Sequence, residues 1–170
     1  MKKSICLLLS ISLLSCLALN LYSQSDEEEL DQVKLTKQFL GTWETQVGED
    51  SVQQFVCTQA GEGMLFKIVY KSKGKVYAEG AGVAGFSPDR KTLEFTAVWP
   101  NGVATHDIGR FVTNNKLVME RFLLDSPTHA VALFEYDISP TSYSGVGYGR
   151  GQNITWEPLS EYKVTFNKID

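Results

Sequence analysis

Three side chains carry most of the chemistry this sequence could perform: His106, Arg110 and Arg121. Histidine takes and gives a proton near neutral pH, so an inward-facing His106 would suit a general acid or base, with Arg110 steadying an oxyanion. Arginine keeps its charge at any working pH, and a buried guanidinium without a partner is very costly. Inward arginines therefore either pair with an inner carboxylate, for which Glu44 and Glu135 are the candidates, or wait for an anionic ligand. The plainer alternatives are a satisfied core histidine and a structural ion pair. There is no Gly-x-Ser-x-Gly, no metal-ligand cluster and no nucleophile with a base at usable spacing, so an enzymatic reading rests on His106 alone. Gly145-x-Gly147-x-Gly149-x-Gly151 lacks the following helix and the spacing of a dinucleotide loop and is expected as a bent strand. The other histidine, His129, lies beside the turn at Asp125–Thr128.

Whether the three side chains converge depends on strand register. Asn101-Gly102 sits between two alternating runs, and a two-residue turn there predicts Trp99 opposite Ala104, Ala97 opposite His106, Phe95 opposite Ile108 and Leu93 opposite Arg110. Directly opposed residues share a face, so His106 and Arg110 would join Phe95 and Trp99 inside, while Glu94, Thr96, Thr105 and Asp107 face solvent. A second two-residue turn at Asn114-Asn115 pairs Val112 with Leu117, Arg110 with Met119 and Ile108 with Arg121, which adds Arg121 to the inner set. A single-residue bulge anywhere between Thr92 and Leu123 would turn part of this set outward.

The remaining chain reads as more of the same. Turn signals at intervals from Gly48-Glu49-Asp50 to Gly149–Asn153 cut it into about ten strands, as in an all-β meander. A turn at Pro88–Lys91 sets Phe86 opposite Leu93 and places Ala78, Gly80, Gly82 and Ala84 inside, small residues facing large ones. Inner-face alternation also marks Met64, Phe66, Ile68 and Tyr70, then Ala132, Phe134, Tyr136 and Ile138, and finally Tyr162, Val164 and Phe166. Tyr70 and Tyr136 are thereby candidate ligand contacts beside Phe95 and Trp99. An open sheet of ten strands would expose two edges, so closure into an antiparallel up-and-down barrel of eight to ten strands is expected. One helix, within 24–40, precedes the barrel at 41–170.

The chain of 170 residues opens Met-Lys-Lys, runs apolar from Ile5 to Leu21 and turns acidic at Asp26–Glu29. That pattern predicts a secretory leader at 1–23 and an exported, periplasmic or secreted protein. Lipid attachment at Cys16, after Leu13-Leu14-Ser15, is the alternative. The apolar run is at the short limit of the ~20 residues a spanning helix needs, and its tail is polar, so no membrane span is expected. Lys2 and Lys3 leave with the leader, so the 16 basic residues become 14 against 20 acidic, a net charge of −6. Such a balance argues against nucleic acid and anionic membrane surfaces as partners. Only Cys57 remains beyond the leader, which excludes an internal disulfide and predicts a buried thiol.

Phe39-Leu40-Gly41-Thr42-Trp43, a Gly-x-Trp opening a first strand after a short helix, resembles the start of the calycin superfamily: lipocalins, fatty-acid-binding proteins and nitrobindins. Gly85-Phe86-Ser87-Pro88-Asp89, Trp99 before a turn and the late Asn153-Ile154-Thr155-Trp156-Glu157-Pro158 resemble uncharacterised bacterial lipocalin-like domains, over roughly residues 39–170. The resemblance implies that Trp43 packs across one barrel end as a structural residue. Its nitrobindin branch raises haem on His106, although no motif demands any cofactor. Val47-Gly48-Glu49-Asp50 joins the first two strands directly, so the helical lid of fatty-acid-binding proteins is absent, and the lipocalin disulfide cannot form. The leading expectation is a binding protein that holds a small amphipathic or anionic molecule through His106, Arg110, Arg121, Trp99, Phe95, Tyr70 and Tyr136. Two rivals stand beside it: a small barrel enzyme using His106, and a packed barrel without a ligand.

Overall fold

The computed structural model describes residues 30–150 and 156–170. The expected leader, Cys16, the acidic run Asp26–Glu29 and the 151–155 stretch that includes Asn153-Ile154-Thr155 lie outside the described residues.

Ten strands follow one another as a meander: β1 Gly41–Gly48, β2 Ser51–Ala60, β3 Gly63–Ser72, β4 Lys75–Ser87, β5 Thr92–Val98, β6 Ala104–Thr113, β7 Lys116–Leu123, β8 Ala132–Ile138, β9 Ser142–Arg150 and β10 Trp156–Lys168. Each pairs antiparallel with its sequence neighbours, and β1 pairs with β10 to close the barrel. Alternation drives this: the inner positions of β3, Met64, Phe66 and Ile68, are buried, whereas Leu65 and Lys67 between them are exposed.

The expected helical segment at 24–40 is described from residue 30 onward. It comprises α1, Gln32–Thr36, and a 3₁₀ turn at Lys37–Phe39. Asp31 starts it by accepting the Lys34 N–H at 2.9 Å, the usual way an N-cap satisfies a free backbone donor. Gly41, at φ +116, turns the chain into β1 where a side chain would also strike those of Lys168 and Asp170. Among the described residues no helix is long and apolar enough to cross a membrane.

This segment plugs one end of the barrel. Gln32 behaves as a substitute strand residue, accepting the Phe111 N–H at 2.7 Å and donating to the Phe111 carbonyl at 3.1 Å. Leu35 and Phe39 pack on a buried cluster that includes Trp43, Leu93, Phe111, Leu117 and Tyr143. Trp43, 1 % exposed, donates its indole N–H to the Phe39 carbonyl at 2.7 Å and so ties plug to barrel.

Register departs from expectation at two points. Between β5 and β6 the observed pairs are Val98 with Ala104, Thr96 with His106, Phe95 with Asp107 and Leu93 with Gly109. The turn spans Trp99–Gly102, with the Gly102 N–H bonded to the Trp99 carbonyl at 2.8 Å and Trp99 closed against Val103. Pro100, whose ring fixes a negative φ, takes the second turn position, and Gly102, at φ +82, supplies the left-handed residue that follows. That adds one residue to the expected loop and rotates all of β6: Thr105, Asp107, Gly109 and Phe111 face in, and His106 and Arg110 face out. Asn114-Asn115 does make the expected two-residue turn, closed by Thr113 and Lys116, but a bulge at Val112 precedes it and Phe111, not Val112, faces Leu117. The second irregularity cancels the first. β7 returns to its expected face, with Arg121 inside.

Candidate functional site

The inner faces enclose a cavity of about 940 Å³. It exists because the side chains around it differ in size. On β4, Gly82 lets the Phe66 ring lie against the backbone, where any Cβ would collide with it. On β9, Gly145 and Gly147 do the same for Tyr136 and Phe134, whose ring carbons would stand 2.7 Å and 3.0 Å from added Cβ atoms. The alternating glycines of β9 are therefore a floor for aromatic rings, within a strand as expected up to Arg150. Phe55, Phe66 and Phe95 form the apolar wall, and Tyr70, Tyr77 and Tyr162 stand toward the end opposite the plug. The cavity falls within the range of small-molecule sites, roughly 300–1,000 Å³.

One charged pair crosses this interior. Arg121 on β7 donates from Nε to Asp107 Oδ1 at 2.8 Å and from Nη2 to Asp107 Oδ2 at 2.7 Å. Their side chains are only 12 % and 11 % exposed. The guanidinium carbon lies 4.8 Å from the Trp99 ring centre and 4.6 Å from that of Phe134, so two π systems pack against the cation. Trp99 is itself held by donating its indole N–H to Thr105 Oγ1 at 2.9 Å. Burial works against the Arg121 charge, but two hydrogen bonds and the Asp107 carboxylate more than offset it, and the pKa rises above the ordinary arginine value. Burial also pushes the Tyr136 hydroxyl well up, with Arg121 pulling part of the way back, so this phenol stays a neutral donor and acceptor.

Of the residues expected to meet inside, Arg121, Trp99, Phe95, Tyr70 and Tyr136 line the cavity. His106 and Arg110 do not. His106 sits on the outer face, its Nδ1 2.9 Å from Thr96 Oγ1 and its Nε2 3.5 Å from Glu94 Oε2. Arg110 is exposed. Neither expected carboxylate partner is inside: Glu44 accepts from Gln54 at 2.7 Å and Glu135 pairs with Lys116 at 2.8 Å, both on outward-facing positions. His129 lies exposed beside Thr128. Sequence reasoning placed Asp107 in solvent and gave Thr105 no role, since the same misjudged turn displaced both. Pro100 directly before Asn101-Gly102 was the signal that could have corrected them.

Among the described residues no group of three His, Cys, Asp or Glu side chains could hold a metal ion. His106, on the outer face, cannot reach a haem or a substrate in the cavity. Cys57 is buried on the inner face of β2, and desolvation pushes its thiol up to about 12. The reactive thiolate is then scarce across the neutral range. Iodoacetamide at mildly alkaline pH should leave Cys57 unmodified in the native protein while alkylating it readily in urea, as read by intact mass. Equal rates would mean that β2 opens freely.

Compared with known protein families, the sequence matches no family model, and it matches no curated protein. The closed ten-strand antiparallel barrel is consistent with a calycin-like fold.

Proposed function

We propose that this is an exported, lipocalin-like binding protein that holds a small amphipathic molecule inside its barrel. The observation that carries the reading is the cavity of about 940 Å³, walled by phenylalanines and furnished with one ion pair and several tyrosines. A barrel evolved only as a packed scaffold would fill such a space, because empty volume forfeits contacts that stabilise the fold. The acid–base alternative loses its residue, since His106 faces away from the cavity. Export rests on the leader-like sequence at 1–23.

Native mass spectrometry of protein purified from its own host tests the reading. A stoichiometric small molecule should be retained, and an uncharged hydrophobic dye should bind one per chain and quench tryptophan emission from beside Trp99. Neither a retained mass nor saturable dye binding would leave the proposal without support.

A further inference from the structure

Resting on that reading, we infer that the Asp107–Arg121 pair makes the cavity selective for ligands with an electrically neutral polar head that both accepts and donates hydrogen bonds, such as a carboxamide, over fatty anions and cations of the same tail. Three features of the pair lead there.

First, the pair carries no net charge. An entering carboxylate would meet Arg121, but it would also be held beside Asp107, and like charges in a poorly solvated site repel strongly. Separating the pair to free Arg121 would leave Asp107 buried and unpaired. Among the described residues the other cation touching the cavity, Lys163, is exposed, where water screens it. Second, the two rings nearest Asp107 that could receive a ligand cation, Trp99 and Phe134, already have the Arg121 guanidinium against them. An ammonium head brought to Asp107 would meet the Arg121 guanidinium there, a like charge in a poorly solvated site.

Third, the pair leaves complementary hydrogen-bonding capacity. A guanidinium has five N–H groups, and Asp107 takes two, one from Nε and one from Nη2. The remaining Nη1 and Nη2 hydrogens, with the Tyr136 hydroxyl, can donate to a carbonyl. Each Asp107 oxygen accepts one Arg121 hydrogen and retains capacity for another, which an amide N–H can fill. Thr105 Oγ1 accepts from Trp99, so its own O–H is also available as a donor. Phe55, Phe66 and Phe95 then take the apolar tail.

The test compares decanamide, decanoate and decylammonium, which share a tail and differ in head charge near neutral pH. Each displaces the uncharged dye from the intact protein. Decanamide should bind at least about tenfold more tightly than either ion. Asp107→Asn keeps the shape, removes the anion and leaves Arg121 uncompensated, so decanoate should overtake decanamide; circular dichroism establishes that the variant is folded. Tighter binding of decanoate than decanamide by the native protein overturns the inference, whether or not the variant folds. Equal binding of all three heads, or an unchanged order in a folded Asp107→Asn, overturns it too while leaving the cavity reading intact. Failure of the dye and all three probes to bind overturns both.

Discussion

Arg121→Met should lower stability toward urea by an amount near the low end of about 3–5 kcal/mol, the range for removing one member of a buried ion pair. The cost is not the lost attraction alone. Asp107, 11 % exposed beside Arg121, would be left without its cation, and Trp99 and Phe134 would lose the group packed against them. The low end applies because the pair borders a cavity that water can enter. The decisive comparison is Asp107→Leu/Arg121→Met. Replacing both charges by apolar groups of similar volume is often neutral, so the double variant should recover most of the loss in the same urea titration. A double variant as unstable as Arg121→Met would show that the contacts with Trp99 and Phe134, not the unpaired carboxylate, set the energy.

Trp43→Ala should cost about 3–5 kcal/mol, as for other large aromatics truncated in cores. Trp43 is fully buried, lies 5.2 Å from the Tyr143 ring and has Lys168 Nζ 5.3 Å from its own ring centre. Its loss would open a void between the plug and the barrel wall. Trp43→Phe is the milder truncation. It keeps an aromatic ring but gives up the bond to the Phe39 carbonyl and part of the indole volume, a smaller loss of about 1–3 kcal/mol. A midpoint for Trp43→Ala within about 1 kcal/mol of the native protein would mean that the plug contributes little to the fold.

Much of the architecture was legible because strand periodicity is a local property. The inner faces of β3, β8 and the end of β10 follow from alternation without any pairing information, and that of β4 needs only the short turn at Pro88–Lys91. Site geometry was less legible, since it needs register, and register accumulates errors along the chain. The turn from Trp99 to Gly102, with Pro100 in its second position, and a bulge at Val112 each shift the pairing by one residue. Between them every β6 side chain changes face, which exchanges His106 and Arg110 for Thr105 and Asp107. Arg121 kept its place because two opposite shifts cancel, not because the path to it was right. The expected arginine inside with an anionic ligand thus became an arginine already holding a carboxylate from its neighbouring strand. Nothing in the spacing of Asp107 and Arg121 announces that partnership; it exists only after the turn between Val98 and Ala104 has been counted correctly.

The seam that closes the barrel has a kinetic meaning. Nine of the ten neighbouring strand pairs are consecutive in sequence and can form by short-range zipping, whereas β1 and β10 must meet from opposite ends of the chain. That seam is also thin: Trp43 opposite Lys168 and Glu44 opposite Asn167, supplemented by the Ile169 N–H to the Thr42 carbonyl at 2.9 Å and the Thr42 N–H to Asp170 Oδ1 at 2.8 Å. Loop-closure entropy places this contact last in assembly. Until it forms, the chain is an open sheet with two unpaired edges, the geometry that invites pairing with another copy. Glu44, Lys163 and Lys168 put charges on those two strands, and Trp43 sits on the seam itself. The tryptophan that holds the plug therefore also stands where the ring completes, so barrel closure and end-capping become a single late event.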